Sequence, residues 1–430
     1  MVTVAACSVG ELLVNLRVGL LRVLRSLSAD RSDLRRLGSA VVRLHRHRRR
    51  SLFFLGPLLR IAPTFGTIKF QLWKYLALSS NNMCRQVFSA EELGVLTTAV
   101  RSTQAYTDAA LALSRDRNGF LQRGPGYVNL RDRLRHQPPQ RLLVFHHYDR
   151  RGLLPQSWLQ ALLVIQEAGW QVVLSSSSSV DPATRKLLEP SGVQIVGRVN
   201  LGLCLGAYRD LALLLSATPA AHQHLQALVF CNDSNLLVQP PEALLAQLER
   251  WTIQNAISRP VLAGLTDSVE RHRYHLQSFL LHANRALLQH PAWLRFWLHF
   301  AIDGSKDDLI NHGEIGLSQA LLAAGIELQP AYSLVQGLLT DQAMAEELQG
   351  YGIAQPEHVN QSLFAWRSLL ARGFPLVKKH VLFQLVEHQG QPMAIAQLAG
   401  LIPKERRALL TRDIQQLMIS RYSGGLPRMG

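Results

Sequence analysis

Residues 227–237 read ALVFCNDSNLL, and this stretch decides the fold. The apolar run Ala227 to Phe230 predicts a buried strand that stops at Asn232-Asp233-Ser234. An acid at the carboxyl end of a core strand sits where open α/β sheets bind ligands. Asn, Asp and Ser are also turn formers, so a plain strand-end turn competes with a ligand site.

The flanking sequence has a regular rhythm. Strands are expected at 141–149, 171–177, 193–198, 227–230 and 261–265. Helices are expected at 155–168, 182–189, 205–216 and 241–251. Asp181 before Pro182 marks a helix start. Short apolar strands alternating with helices predict a mostly parallel sheet flanked by helices. The residues just past each strand should then share one edge: His146 to Asp149, Ser175 to Ser179, Arg198 to Asn200, Asn232 to Ser234, and Thr266 to Ser268.

Three divisions are expected: a basic, helix-rich lobe at 1–135, the α/β domain at 141–385 and a helical tail at 386–430. The loop-like stretch 118–129 and Gln137-Pro138-Pro139-Gln140 mark the first boundary. The length of 430 residues allows two or three domains of about 150 residues each. Charge is unevenly placed. Residues 1–140 carry 22 Lys/Arg against 8 Asp/Glu, and the rest carry 24 against 22. A basic lobe suits an anionic surface. Within 11–27, Leu12, Leu13, Leu16, Leu20, Val23, Leu24 and Leu27 form a helical stripe, with Arg17, Arg22 and Arg25 largely off it. This is the layout of an interfacial helix. The cluster His45 to Arg50 then abuts LFFLGPLL at 52–59. Residues 11–60 are therefore a candidate contact for an anionic membrane, against the plainer reading of a lobe packed on the rest of the chain. Nucleic acid is not expected as a partner. The tail, with Lys404, Arg406, Arg407 and Arg412 offset by Glu405 and Asp413, only imitates a helix-turn-helix.

No run approaches the ~18 apolar residues of a membrane span, and no secretory signal is read at the start. The four cysteines (Cys7, Cys84, Cys204, Cys231) form no C-x-x-C pair. Together these predict a cytoplasmic protein, with a peripheral contact on the inner face of the plasma membrane. His272 and His275, in an expected loop, are read as structural or substrate-contacting rather than zinc ligands. There is no G-x-S-x-G elbow, P-loop or dinucleotide fingerprint.

One segment stands out: R-V-N-L-G-L-C-L-G-A-Y at 198–208, where Arg198 can clasp a phosphate and Gly202 and Gly206 allow close backbone approach. It is followed in order by NDS at 232–234, GLTDS at 264–268 and HLQSFL at 275–280. Then come FW at 296–297, KDDLI with EIGLS across 306–318, and FPLVK at 374–378. This series, over roughly 141–385, resembles the rhamnan synthesis protein F family of bacterial cell-surface polysaccharide assembly.

The resemblance implies a GT-A-like glycosyltransferase fold and a nucleotide-sugar donor, dTDP-rhamnose first among them, with a saccharide or lipid-linked acceptor. Arg198, Asn200 and Gly202 would contact the nucleotide. Asn232, Asp233 and Ser234 would stand in the D-x-D place, with Asp233 the metal ligand. A single carboxylate there implies that Mg2+ or Mn2+ binds weakly or is dispensable. Gln277 and Ser278 would line the sugar pocket, and Lys378 would neutralise the diphosphate. An inverting transfer needs a base: Glu314 first, Asp267 second, against the plainer readings of a helix-start acid and an Asx turn. Trp293 and Trp297 are read as core or as acceptor-stacking. The family usually carries Asp where this chain has Cys204, which keeps a catalytically silent scaffold in a polysaccharide-assembly complex as the alternative, with nucleic-acid binding by the basic lobe as a second.

Overall fold

The computed structural model describes residues 125–149, 151–198, 202–256, 258–300, 306–353 and 355–422. The basic lobe up to residue 124, with its interfacial-helix and membrane-contact readings, lies outside the described residues, as does Asn200.

The chain divides into two units. The larger holds 121–200, 219–293 and 314–430. Among the described residues it holds ten strands: β1 (Arg141–His147), β2 (Gln171–Ser176), β3 (Gln194–Gly197), β4 (Ala227–Asn232), β5 (Asn235–Leu237), β6 (Val261–Ser268), β7 (His275–Leu276), β8 (Leu280–Asn284), β9 (Glu327–Tyr332) and β10 (Leu376–Lys378). Eight form one sheet, ordered β3-β2-β1-β4-β8-β6-β7 with β9 also on β6. The pairs β3-β2, β2-β1, β1-β4 and β6-β9 are parallel. β8 runs antiparallel to both β4 and β6. The architecture is α/β, a mixed and mostly parallel sheet flanked by helices.

The alternation of β1, β2, β4 and β6 sorts their side chains onto two buried faces. Leu143, Phe145, Val172, Leu174, Val229, Cys231, Ala263 and Leu265 enter one core with Trp158 and Leu162 of helix Gln156–Glu167 and Leu244 and Leu248 of helix Pro241–Gln254. On the opposite face Phe230 stacks on Trp293 at 6.0 Å. Each such large apolar side chain contributes about 1.5–3 kcal/mol by leaving water. Asp181 caps helix Pro182–Leu188 by accepting from the backbone N–H of Ala183 and Thr184, as its sequence position suggests.

Four expectations need correction. Strand β6 runs on to Ser268 instead of ending at Leu265, so Thr266, Asp267 and Ser268 lie within it and not past its end. Strand β4 runs to Asn232 instead of ending at Phe230, because Cys231 and Asn232 still pair with Phe145 and His146 of β1. The expected loop at 118–129 gives way to a helix at Pro125–His136. Proline suits a first helical turn, and Leu130 and Leu134 bury one stripe. Gly126 lies so close to β3 that a Cβ would stand 2.2 Å from the Ile195 carbonyl oxygen. Finally, His275 lies in strand β7, not in a loop.

β5 and β10 pair antiparallel as a ribbon between two cores. Leu237 and Leu376 enter the sheet core. Leu236 and Val377 enter a second core with Val381, Leu382, Leu398, Leu410, Ile414 and Leu417. The C-terminal helices thus share a compact unit with the sheet.

Within the smaller unit, helix Leu203–Ser216 is buried from Leu205 to Ser216. Arg209 donates from Nε to the Trp297 carbonyl at 3.1 Å. A Cβ on Gly313 would meet Leu205 and Phe300 at under 3 Å. Trp293 and Trp297 are both fully buried, which favours the core reading. Among the described residues no helix is long and apolar enough to cross a membrane.

Candidate functional site

The carboxyl ends of β1 to β4 share one edge of the sheet. His146 is level with Ser175 and Asn232, and Ser176 with Gly197. Arg198 follows β3. It is almost fully buried, donates its backbone N–H to the Ser176 carbonyl at 2.9 Å, and donates from Nη1 to Ser177 Oγ at 3.2 Å.

His146 lies buried in the middle of this edge. Its Nδ1 is 3.1 Å from the Ser175 carbonyl oxygen. A carbonyl only accepts, so Nδ1 carries the proton and Nε2 a lone pair in the neutral ring. Burial lowers the His146 pKa to about 3, reinforced by the Arg198 cation and opposed by Asp233.

At the end of β4, Asn232 Oδ1 accepts from Ser234 N–H at 2.9 Å, so the Asx turn is present. It coexists with a charged group. Asp233 donates its backbone N–H to the His146 carbonyl, and its Oδ2 accepts from Tyr148 N–H at 3.3 Å and from Lys379 Nζ at 3.0 Å. Burial works against ionisation here, but the Lys379 cation outweighs it and holds the carboxyl below its ordinary value.

The lysine that meets Asp233 is Lys379, which the sequence reading did not single out; it named Lys378. Register explains why. Lys378 pairs with Asn235 across β10 and β5, and Lys379 donates its backbone N–H to the Ser234 carbonyl at 3.0 Å. The Lys379 side chain thereby reaches Asp233. Lys378 Nζ instead stands 3.4 Å from Asn360 Oδ1 and 5.7 Å from the centre of the Phe279 ring. The only signal in the sequence was the Lys-Lys pair itself.

A second cluster adjoins the first. Glu314 Oε2 accepts from both the backbone N–H and the hydroxyl of Ser278, the former at 2.7 Å. Glu314 Oε1 stands 3.9 Å from His275 Nε2. The next residue, Phe279, accepts at its carbonyl from Asn232 N–H at 3.1 Å, which joins this cluster to the end of β4. Helix Ile315–Ala323 supports it through Ser318 Oγ, which accepts from Leu276 N–H at 3.0 Å.

Asp267 and Gln277 are placed differently. Asp267 Oδ1 accepts from Leu334 N–H and Gln361 Nε2 at 2.6 and 3.1 Å, and its Oδ2 from the Tyr274 hydroxyl at 3.3 Å. Burial pushes its carboxyl up, against these hydrogen bonds. Gln277 is buried, its Oε1 accepting from Thr266 Oγ1 at 2.7 Å and Ser362 Oγ at 3.0 Å. Asp267 and Gln277 thus tie β6 to the segments that follow it, whereas Arg198, His146, Asp233, Lys379, Ser278 and Glu314 lie along or adjoin the strand ends. Gly202 opens helix Leu203–Ser216 at a φ of 75°, in the smaller unit together with Cys204.

Magnesium and manganese take oxygen ligands, commonly one or two carboxylates plus substrate phosphates. The donor set fits such an ion poorly. Asp233 offers one carboxylate, and Lys379 already occupies one of its oxygens. Among the described residues no group of three or more His, Cys, Asp or Glu side chains is placed to hold a metal.

No protein-family model matches this chain, and no curated protein matches it.

Proposed function

We propose that this protein is a glycosyltransferase, moving a sugar from a nucleoside-diphosphate donor to a saccharide or lipid-linked acceptor of the cell surface. The observation that carries the reading is the polar edge of the sheet, where Arg198, His146 and the Asp233–Lys379 pair stand at the carboxyl ends of β3, β1 and β4. Ligands of open α/β sheets bind at such carboxyl ends. The mostly parallel sheet with antiparallel β8 between β4 and β6 supports a GT-A-like assignment. The ordered motifs resembling the rhamnan synthesis protein F family make rhamnose the first sugar to test.

In this reading Arg198 and Lys379 bind the diphosphate. The acceptor oxygen attacks the anomeric carbon as its bond to the phosphate oxygen breaks, and the electron pair leaves with the diphosphate. Glu314 takes the acceptor proton. The two hydrogen bonds from Ser278 fix one carboxylate oxygen and leave the other for that work. Asp267, with both oxygens engaged, holds the scaffold instead. Residues 11–60 would bring the enzyme to an anionic membrane carrying the acceptor.

A ligand that binds only the folded state raises its stability. Thermal-shift screening of dTDP- and UDP-sugars therefore tests the reading. A shift with dTDP-rhamnose or another nucleotide sugar is expected, and no shift with any of them at millimolar levels sinks the proposal. Binding without turnover would instead favour a silent scaffold, the reading that Cys204 supports.

A further inference from the structure

We propose that Lys379 does at this site what a divalent cation does elsewhere, so that the anionic ligand is held without a metal. This rests on the reading of the strand edge as a diphosphate site.

Three observations carry it. The first is the pair itself. Lys379 Nζ lies 3.0 Å from Asp233 Oδ2, with the two side chains only 15% and 11% exposed. A metal on that oxygen would have to displace an ammonium that already neutralises it, or sit beside a like charge. The second is the donor count. An ammonium has three N–H donors, and Asp233 takes one of them. The same nitrogen therefore has donors to turn toward phosphate oxygens while it stays tethered to the carboxylate. The third is the anchoring. The Lys379 backbone N–H is bonded to the Ser234 carbonyl, and the preceding residues Leu376 to Lys378 are locked to β5 by strand pairing. The cation is held at the end of β4 by the fold, and needs no ion to bring it there. On the other side, Arg198 supplies a second fixed positive charge, and the ring between them, His146, is neutral.

Asp233 changes role in consequence. It is a positioning residue for Lys379 and does not coordinate a metal. An amide keeps an oxygen that accepts from an ammonium, so Asp233→Asn separates the two roles: it preserves the tether and ruins a metal ligand.

Calorimetric titration of the full chain with dTDP, UDP and inorganic pyrophosphate, in EDTA and then in Mg2+ or Mn2+, tests the proposal. Affinity in EDTA is expected to stay within about threefold of that in Mn2+, and Asp233→Asn, which also removes a negative charge beside the ligand, to lose no more than about threefold. Lys379→Met should lose at least about tenfold, the order of one charge-assisted hydrogen bond. Circular dichroism checks that each variant is folded; should Lys379→Met fail to fold, the EDTA comparison and Asp233→Asn decide alone. Binding that requires Mn2+ and vanishes in Asp233→Asn overturns the lysine proposal and leaves the glycosyltransferase reading standing. Metal-free binding that Lys379→Met leaves intact also overturns it. No binding of any of the three ligands under any condition removes both.

Discussion

Lys379 Nζ stands 3.0 Å from Asp233 Oδ2, across 146 residues of sequence. β10 brings them together. Its antiparallel pairing with β5 sets Lys378 opposite Asn235 and Lys379 against the turn that carries Asp233. Because burial alone would raise the Asp233 pKa and the pair lowers it, this contact serves stability as well as the site.

Removing one partner of a buried ion pair leaves an uncompensated charge. Lys379→Met should destabilise the protein by about 2–4 kcal/mol, and the double variant Lys379→Met with Asp233→Asn by less than that single change. Urea denaturation of the four proteins measures the coupling. The Asp233 pKa is depressed in the fold, so its contribution is present above the ordinary carboxylate range and is lost as pH falls through the lowered value. A double-variant loss equal to the sum of the two single losses would show that the pair is not coupled.

His146 and His282 should give the protein an acid-sensitive stability. Burial lowers their pKa values to about 3 and about 4, against 6.5 for the ordinary ring. Between those limits the unfolded chain binds the protons that the folded chain refuses. Stability is therefore full above about pH 6.5 and falls as pH drops, by roughly 1.4 kcal/mol per unit for each histidine. Denaturation midpoints from pH 8 to pH 4 should show that slope, and His146→Gln should flatten it by about one proton. An unchanged slope in the variant would mean that His146 titrates normally.

Asp413 caps a helix far from it in sequence. Its Oδ1 and Oδ2 accept from the backbone N–H of Gln156 and Ser157 at 2.7 and 3.0 Å, at the start of helix Gln156–Glu167, which has no side-chain cap of its own. Asp413→Ala should cost about 1–2 kcal/mol, as losses of helix caps do. The urea midpoint should fall with the slope of the transition unchanged. A loss below about 0.5 kcal/mol would place the tail's contribution in the apolar core alone.

Glu314→Gln should lower the transfer rate by about 100-fold or more, the range of general-base losses, with little change in donor affinity. The amide keeps an oxygen for Ser278, so the pocket holds its shape. Single-turnover transfer from a nucleotide sugar is the readout. Equal loss of donor binding and rate would assign Glu314 to the structure of the pocket.

Much of the framework was legible in the chain. The four strand-to-polar transitions after Phe145, Leu174, Val196 and Phe230 predicted the shared edge because apolar runs of that length are buried and their polar ends must reach solvent or partners. The Asp181-Pro182 helix start was read from local chemistry alone. Strands β5, β7, β8, β9 and β10 were not. They are two to six residues long, and LLHAN at 280–284 carries no alternation by which to separate strand from helix. The helix at Pro125–His136 was hidden because the strand it lies against, with Gly126 close to Ile195, is nearly seventy residues away.

The sequence by itself determined the α/β class, the parallel half of the sheet and the placing of Arg198, His146 and Asp233 at strand ends, because these follow from periodicity and polarity over a few residues. The tertiary structure alone decided which lysine meets Asp233, that Asp267 and Gln277 are bound into the scaffold, and that the C-terminal helices close a second core on Leu236 and Val377. Those outcomes depend on pairing register between distant segments. A shift of one residue in β10 would exchange Lys379 for Lys378, and nothing local to either residue distinguishes them.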